Sequence, residues 1–201
     1  MQFFSCSARL ALVTFSLLGT LANNAFAAAD DPAWSALKQG GYVVLMRHAQ
    51  TVAGTGDPPN FKINDCSTQR NLDSIGKAQS QRWGEAFRAN RVPLSGVYSS
   101  QWCRCVDTAS LAFKDLARVD TWPALNSHFD NPQTADLQKQ QVLGGLGVRL
   151  RAGQNIVLVT HQVNITALTG QFVGMGEALV TRFEGGALRV VQRLPMPKPQ
   201  R

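Results

Sequence analysis

Val43-Val44-Leu45-Met46-Arg47-His48-Ala49-Gln50-Thr51 (VVLMRHAQT, residues 43–51) sets a run of core-type residues directly against an arginine and a histidine. A short continuous apolar run after the helix-ending pair Gly40-Gly41 reads as a buried strand. Two adjacent basic side chains have no use inside such a strand. At its tip they do, because binding and catalytic groups are often mounted where the chain leaves a rigid sheet.

Working outward, the pattern recurs. GVYSS (96–100) reads as a strand ending in Ser99-Ser100, and the helix predicted over 101–116 brings in Arg104. NIVLVTH (155–161) is an apolar strand ending in Thr160-His161, followed by a helix over 162–170. DPAWSALKQ (31–39) reads as a short helix opened by Asp31 or Asp30, with Pro32 in its first turn. Residues 73–90 place Ile75, Ala78, Trp83, Ala86 and Phe87 at helical spacing. ARVD (117–120) is a short strand, 134–150 a helix weakened by its glycines, and 178–183 with 187–194 a terminal hairpin. Residues 52–71 form a polar loop too long to be a mere connector. Strand–helix alternation of this kind predicts an α/β fold, a three-layer α/β/α sandwich with a mostly parallel central sheet. Ligands in such sheets bind beyond the carboxyl ends of the strands, so Arg47, His48, Arg104 and His161 are expected at one rim. The chain has three histidines, and two of them occupy these strand ends.

Residues 1–27 read as a cleavable secretory signal: Arg9, the largely apolar run 10–22, Asn23-Asn24, then Ala25-Phe26-Ala27. The apolar run is short for a membrane anchor. The expected mature chain is residues 28–201, one domain, periplasmic or secreted, with no stable membrane insertion. The formal net charge is +7, but the Lys and Arg are scattered singly with no aromatic interleaving. That argues against nucleic acid and for a basic surface with one anion pocket. Cys66, Cys103 and Cys105 follow the signal. In an oxidising compartment they predict a single disulfide from Cys66 to either Cys103 or Cys105. A Cys-x-Cys metal site is the alternative, and no His or further Cys stands near it in sequence.

LMRHAQT, VYSSQWCRCVDTA and IVLVTHQVN together resemble the three signatures of the histidine phosphatase superfamily, the phosphoglycerate-mutase-like fold. Arg47 to Thr51 meet the Arg-His-Gly/Ala-x-Thr/Ser pattern. Ser99, Ser100, Arg104, Thr108 and Ala109 meet Ser-Ser-x-x-x-Arg-x-x-x-Thr-Ala. NLDSIGKAQ (71–79) resembles the family's Leu-Thr-x-x-Gly-x-x-Gln-Ala segment, with Asp73 where threonine is usual. The resemblance implies that His48 attacks phosphorus and becomes phosphohistidine, while Arg47, Arg104 and His161 hold the phosphoryl oxygens. It implies no metal and no cofactor, and a small phosphorylated substrate. The chemistry agrees: forked guanidiniums suit spread phosphoryl charge, and a neutral imidazole is a competent nucleophile.

Each residue also has a plainer reading: His48 as an ordinary strand-end histidine, His161 as a helix cap, Arg104 as half of an ion pair with Asp107. Thr160 is expected to cap the following helix. Gln162 and Asn164 are expected either to contact phosphate or to be solvated at that helix start. The general acid departs from the family pattern, since Ser127 stands where a glutamate is expected. Asp130 is the nearest carboxylate and the first choice, with helix capping after Asn131-Pro132 as its other reading. His128 is second, and Asp57 a third if the long loop folds over the pocket. The reading is an exported, metal-independent phosphomonoester hydrolase. A phospho-ligand-binding module and a phosphohistidine-protein phosphatase are the alternatives.

Overall fold

The computed structural model describes residues 1–2, 32–54 and 56–199. The signal-like segment beyond residue 2, and Asp30 and Asp31 before the first helix, lie outside the described residues. The chain runs through α1 (Pro32–Gln39), β1 (Val43–Arg47), α2 (Ser74–Ala89), β2 (Leu94–Ser99), α3 (Cys103–Phe113), β3 (Val119–Thr121), α4 (Ala135–Arg149), β4 (Asn155–Thr160), α5 (Gln162–Thr169), β5 (Ala178–Glu184) and β6 (Ala187–Leu194). Among the described residues the strands form one sheet in the order β3-β2-β4-β1-β5-β6. β3, β2, β4 and β1 are parallel, while at one side β5 pairs antiparallel with β1 and β6 antiparallel with β5. The mostly parallel three-layer α/β fold is as expected.

β1 lies between β4 and β5, which explains its uninterrupted apolar run: Val43, Val44, Leu45 and Met46 are each 0% exposed. Successive side chains feed opposite faces. Val44 and Met46 pack with Trp83, Phe87 and Phe113 of α2 and α3 on one face. Val43 and Leu45 pack with Leu146 of α4 and Ile165 of α5 on the other. One strand thus joins both cores, and its tip is fixed from both sides.

The segment leaving β1 is clamped by α2. Asp73 caps that helix, its carboxylate accepting from the Gly76 N–H at 2.7 Å and from Gln50 Nε2 at 2.9 Å. Aspartate does there what threonine does at a helix N-terminus. A Cβ on Gly76 would come 1.9 Å from the Gln50 carbonyl oxygen, so this position must be glycine for α2 to meet the backbone of residue 50.

The helix expected over 134–150 is present as α4, where Gly145 makes room for the Trp122 ring, which would be 2.6 Å from a Cβ there. Two local expectations change. β2 begins at Leu94, with an irregular register between Leu94 and Gly96. Thr160 does not cap α5: its hydroxyl donates to the Leu125 carbonyl at 2.7 Å, pinning β4 to the turn after β3.

No helix among the described residues is long and apolar enough to cross a membrane. The disulfide joins Cys66 to Cys103 with a Cα–Cα distance of 5.7 Å. Cys105 is a free, buried thiol. Because Cys103 is bonded to Cys66, its sulfur cannot serve a Cys-x-Cys metal site. The bridge ties the 52–71 loop to the first residue of α3 across a separation of 37 residues. Its loss, by reduction or by replacing both cysteines with serine, lowers unfolding stability by about 3–4 kcal/mol. A urea titration with and without reductant checks this, and coincident curves would count against it.

Candidate active site

The carboxyl ends of β1, β2 and β4 converge on a cavity of about 270 Å³. Arg47, His48, Asp57, Arg70, Arg104 and His161 line one part of it. Trp102, Ser127, Phe129, Asp130, Gln162 and Val163 line the rest. The four residues expected at one rim are therefore brought together. His48 follows β1 with its N–H on the Thr160 carbonyl at 3.0 Å, and Ser100 follows β2 with its N–H on the Val159 carbonyl at 2.9 Å. The spacing of the second signature has a physical reason. Thr108, one helical turn after Arg104, accepts from the Ala49 N–H at 3.0 Å and donates to the Arg104 carbonyl at 2.7 Å. It couples the turn holding Arg104 to the residue beside His48.

The neighbours of each histidine ring assign its tautomer. His48 Nδ1 lies 2.9 Å from the Ala49 carbonyl oxygen, which only accepts. Nδ1 therefore carries the proton, and Nε2 of the neutral ring holds a lone pair. His161 Nδ1 faces Arg104 Nη2 at 3.5 Å, a donor only, so the proton of His161 is on Nε2. That Nε2–H donates to Ser100 Oγ at 2.8 Å. Ser100 in turn donates to Asn126 Oδ1 at 3.2 Å and accepts from the Trp102 N–H at 3.2 Å. Every polar hydrogen in this chain has one direction. Burial first, and then the Arg104 charge, lowers the His48 pKa to about 3. Burial, His48 and Arg104 hold His161 well below the ordinary imidazole value. His161 occupies the N-cap position of α5, yet its side chain turns to Ser100 and Arg104 rather than capping.

Arg104 has a carboxylate partner, and it is not Asp107. Its Nη1 meets both oxygens of Asp57, at 2.8 and 2.9 Å, and each side chain is only 5% exposed. Asp57 also accepts from the Arg70 N–H at 2.9 Å and from Trp102 Nε1 at 3.0 Å. Asp107 is raised by burial and senses Lys77 instead. Burial raises the Asp57 carboxyl, but the bonds from Arg104 and the Arg70 N–H outweigh it and leave its pKa lowered.

The long loop thus supplies a wall of the site, including Arg70, which sequence reasoning missed. Arg70 Nη1 donates to Thr51 Oγ1 at 2.9 Å and to the Gly54 carbonyl at 2.8 Å. The available signal was its place, directly before the family-like segment 71–79. Arg47 Nη1 donates to the Val173 carbonyl at 3.0 Å, with Phe172 5.9 Å from its guanidinium carbon. Burial and then mutual repulsion lower the pKa of Arg47 and of Arg70. The Nε atoms of Arg47, Arg70 and Arg104 are buried without a partner among the described residues. Three cations and one tightly held carboxylate around two neutral imidazoles make a site for a dianion.

The remaining sequence candidates separate. Asp130 is exposed and lines the cavity; the helix-cap positions after it belong to Asn131 and Thr134. His128 is displaced: it is buried in a small void with Val142, Asn164 and Leu168, apart from the cavity. Asn164 likewise points inward, donating to the Asn126 carbonyl at 2.9 Å. Gln162 lines the cavity, but its amide nitrogen donates to Thr166 Oγ1 at 2.7 Å and its oxygen accepts from the Val173 N–H at 2.9 Å.

The neutral His48 has a consequence for acid stability. Its folded pKa is depressed from 6.5 to about 3, so between these values the unfolded chain binds a proton that the native chain does not. Stability contributed this way is present above the unfolded pKa and falls on acidification, by about 1.4 kcal/mol per pH unit for one group. His48→Asn should remove that slope between about pH 6.5 and pH 5, above the carboxylate range. Urea titrations of both proteins at the two ends of the window check it. Parallel losses would refute it.

Residues 43–143 match the histidine phosphatase superfamily (branch 1). No curated protein sequence matches the chain. Among solved structures, the alpha-ribazole phosphatase from Shigella flexneri is similar at 15% identity and a TM-score of 0.56, over 80% of this chain and 99% of that one. The protein histidine phosphatase SixA complexed with tungstate is similar at 13% identity and a TM-score of 0.56, over 76% and 96%. A phosphoserine phosphatase from Entamoeba histolytica, in complex with 3-phosphoglyceric acid, is similar at 14% identity and a TM-score of 0.55, over 77% and 96%. At such identities the shared property is the fold. The family match spans β1 to the middle of α4 and takes in Arg47, His48, Asp57, Arg70 and Arg104; His161 follows on β4, the strand paired with β1. With half of its length matched and its β-strand tips arranged around a cationic cavity, the chain belongs to the histidine phosphatase superfamily.

Proposed function

We propose that the protein is an exported phosphomonoester hydrolase that works through a phosphohistidine on His48 and needs neither metal nor cofactor. The observation that carries this reading is the neutral His48 ring, whose Nδ1–H is held by the Ala49 carbonyl and whose Nε2 is left as a nucleophile in a pocket with three arginines. The family and the phosphatases of similar fold support the hydrolase class.

In the first step Nε2 attacks phosphorus and the ester P–O bond breaks. The leaving oxygen takes a proton. Arg47, Arg104 and Arg70 face the phosphoryl oxygens, where fixed donors in a site drier than water stabilise charge as it spreads. In the second step water attacks the phosphohistidine, the P–N bond breaks and phosphate leaves. The water proton returns to the acid that gave one.

That acid is Asp130 in this proposal. All four acceptor positions of Asp57 are occupied by donors, which leaves its carboxylate no position from which to hold and pass a proton. His128 is outside the cavity. Asp130 is the carboxylate at the mouth. The Ser127 position, where the family's glutamate is expected, is also in the lining, so the acid has moved three residues along the same loop.

Phosphate release from an activated aryl phosphate, without added metal, is the direct test. His48→Ala should lower turnover by about a thousandfold or more, and equal rates in the two folded proteins would sink the proposal. Asp130→Asn should cost roughly 10²- to 10⁴-fold on alkyl esters, whose alkoxides need a proton, with little loss on the aryl ester. Uniform losses on both ester types would remove Asp130 from the acid role.

A further inference from the structure

We infer that the leaving group of the substrate is an uncharged alcohol that lays a flat ring face on Phe129, and that a second anionic group on it is disfavoured. This rests on the phosphomonoesterase reading of the same pocket and names the chemistry of its outer half.

Phe129 lines the cavity while remaining 59% exposed. Its backbone is not loose. The Phe129 N–H donates to Ser127 Oγ at 3.2 Å. Asn126, at the root of the loop, is held at both ends: its side-chain oxygen accepts from Ser100 Oγ and the Gln101 N–H, and its carbonyl accepts from Gln138 and Asn164. An apolar ring is therefore presented to the cavity from a fixed base, and Val163 is also in the lining. A rigid aromatic surface with two torsions gives contact area at low entropic cost.

The arginines are gathered around the histidines. Arg47 precedes His48 at the tip of β1, Arg104 Nη2 lies 3.5 Å from His161 Nδ1, and Arg70 Nη1 is bonded to Thr51 and Gly54 in the segment leaving β1, so the three guanidiniums serve the end of the cavity where the phosphoryl group is held. The other lining residues supply the Phe129 ring, an aliphatic side chain, Ser127 and Asp130, with the Gln162 amide already bonded within the protein; the Trp102 ring is already engaged, packed between Phe61 and His161 with its Nε1 on Asp57. A carboxylate or second phosphate on the leaving group would lose water there without gaining a cation. A ring would lose little and gain the Phe129 face.

Three esters of primary alcohols isolate the effect from leaving-group reactivity: benzyl phosphate, ethyl phosphate and phosphoglycolate. Their binding is measured by calorimetry on His48→Ala, and as inhibition of aryl phosphate turnover in the unmutated protein should that variant fold poorly. Benzyl phosphate should bind roughly three- to tenfold more tightly than ethyl phosphate, phosphoglycolate no more tightly than ethyl phosphate, and Phe129→Ala should erase the benzyl-to-ethyl ratio. Glucose 6-phosphate in the same series distinguishes a sugar ring from an aromatic one, and either ring exceeding ethyl phosphate accords with the inference. Neither ring ester exceeding ethyl phosphate, a ring-to-ethyl ratio that survives Phe129→Ala, or tightest binding of phosphoglycolate would overturn it. Binding to the His48 variant needs no turnover, so loss of the hydrolase reading would appear separately, as absent phosphate release by the unmutated protein.

Discussion

Concentrating three guanidinium groups beside two imidazoles is the demand that the rest of this structure meets. Left alone, such groups repel one another and lose hydration, and a flexible chain would let them separate. Asp57 answers the charge: its carboxylate is shielded from water and receives Arg104, the Arg70 backbone and the Trp102 indole. The scaffold answers the geometry. β1 and β4 are buried from both faces, so their tips have little freedom, and the disulfide fastens the loop bearing Asp57 to the helix bearing Arg104. A buried pair of this kind is weak support for stability in itself. Its use here is orientation, because Nη1 is committed to Asp57 while the other edge of Arg104 faces His161.

The elements and the cationic rim were legible because each rests on local rules. Continuous apolar runs mark doubly buried strands, and basic residues at their ends can only be at the rim. Thr108 and Gly76 carry family patterns whose reasons become visible as contacts, the one a bond to the residue after His48, the other a close helix–backbone approach. Asp57 was visible as a candidate but not as the partner of Arg104, since that pairing spans 47 residues and depends on how a glycine- and proline-rich loop folds back. Asp107 looked better for being three residues away, yet on α3 it faces Lys77. His128 and Asp130 are two apart, and nothing local decides which of them turns inward. The choice between Cys103 and Cys105 was of the same kind: residues two apart on a helix point different ways, and only the position of the loop selects between them.

The neutrality of His48 follows from these same constraints. An imidazole in water would be partly protonated near its ordinary pKa, and a protonated ring cannot attack phosphorus. Here burial and the Arg104 charge both act against the cation, so the arrangement that gathers positive charge also keeps a lone pair free on the His48 ring. The Ala49 carbonyl then decides which nitrogen keeps it, by accepting from Nδ1. In the phosphohistidine route proposed above, a bound dianion reverses this balance: it compensates the arginines, and positive charge developing on the ring as the P–N bond forms is stabilised by the phosphoryl group itself. On that reading a single cationic pocket disfavours the charged imidazole before substrate arrives and favours it during transfer, which is what differential binding of a transition state requires.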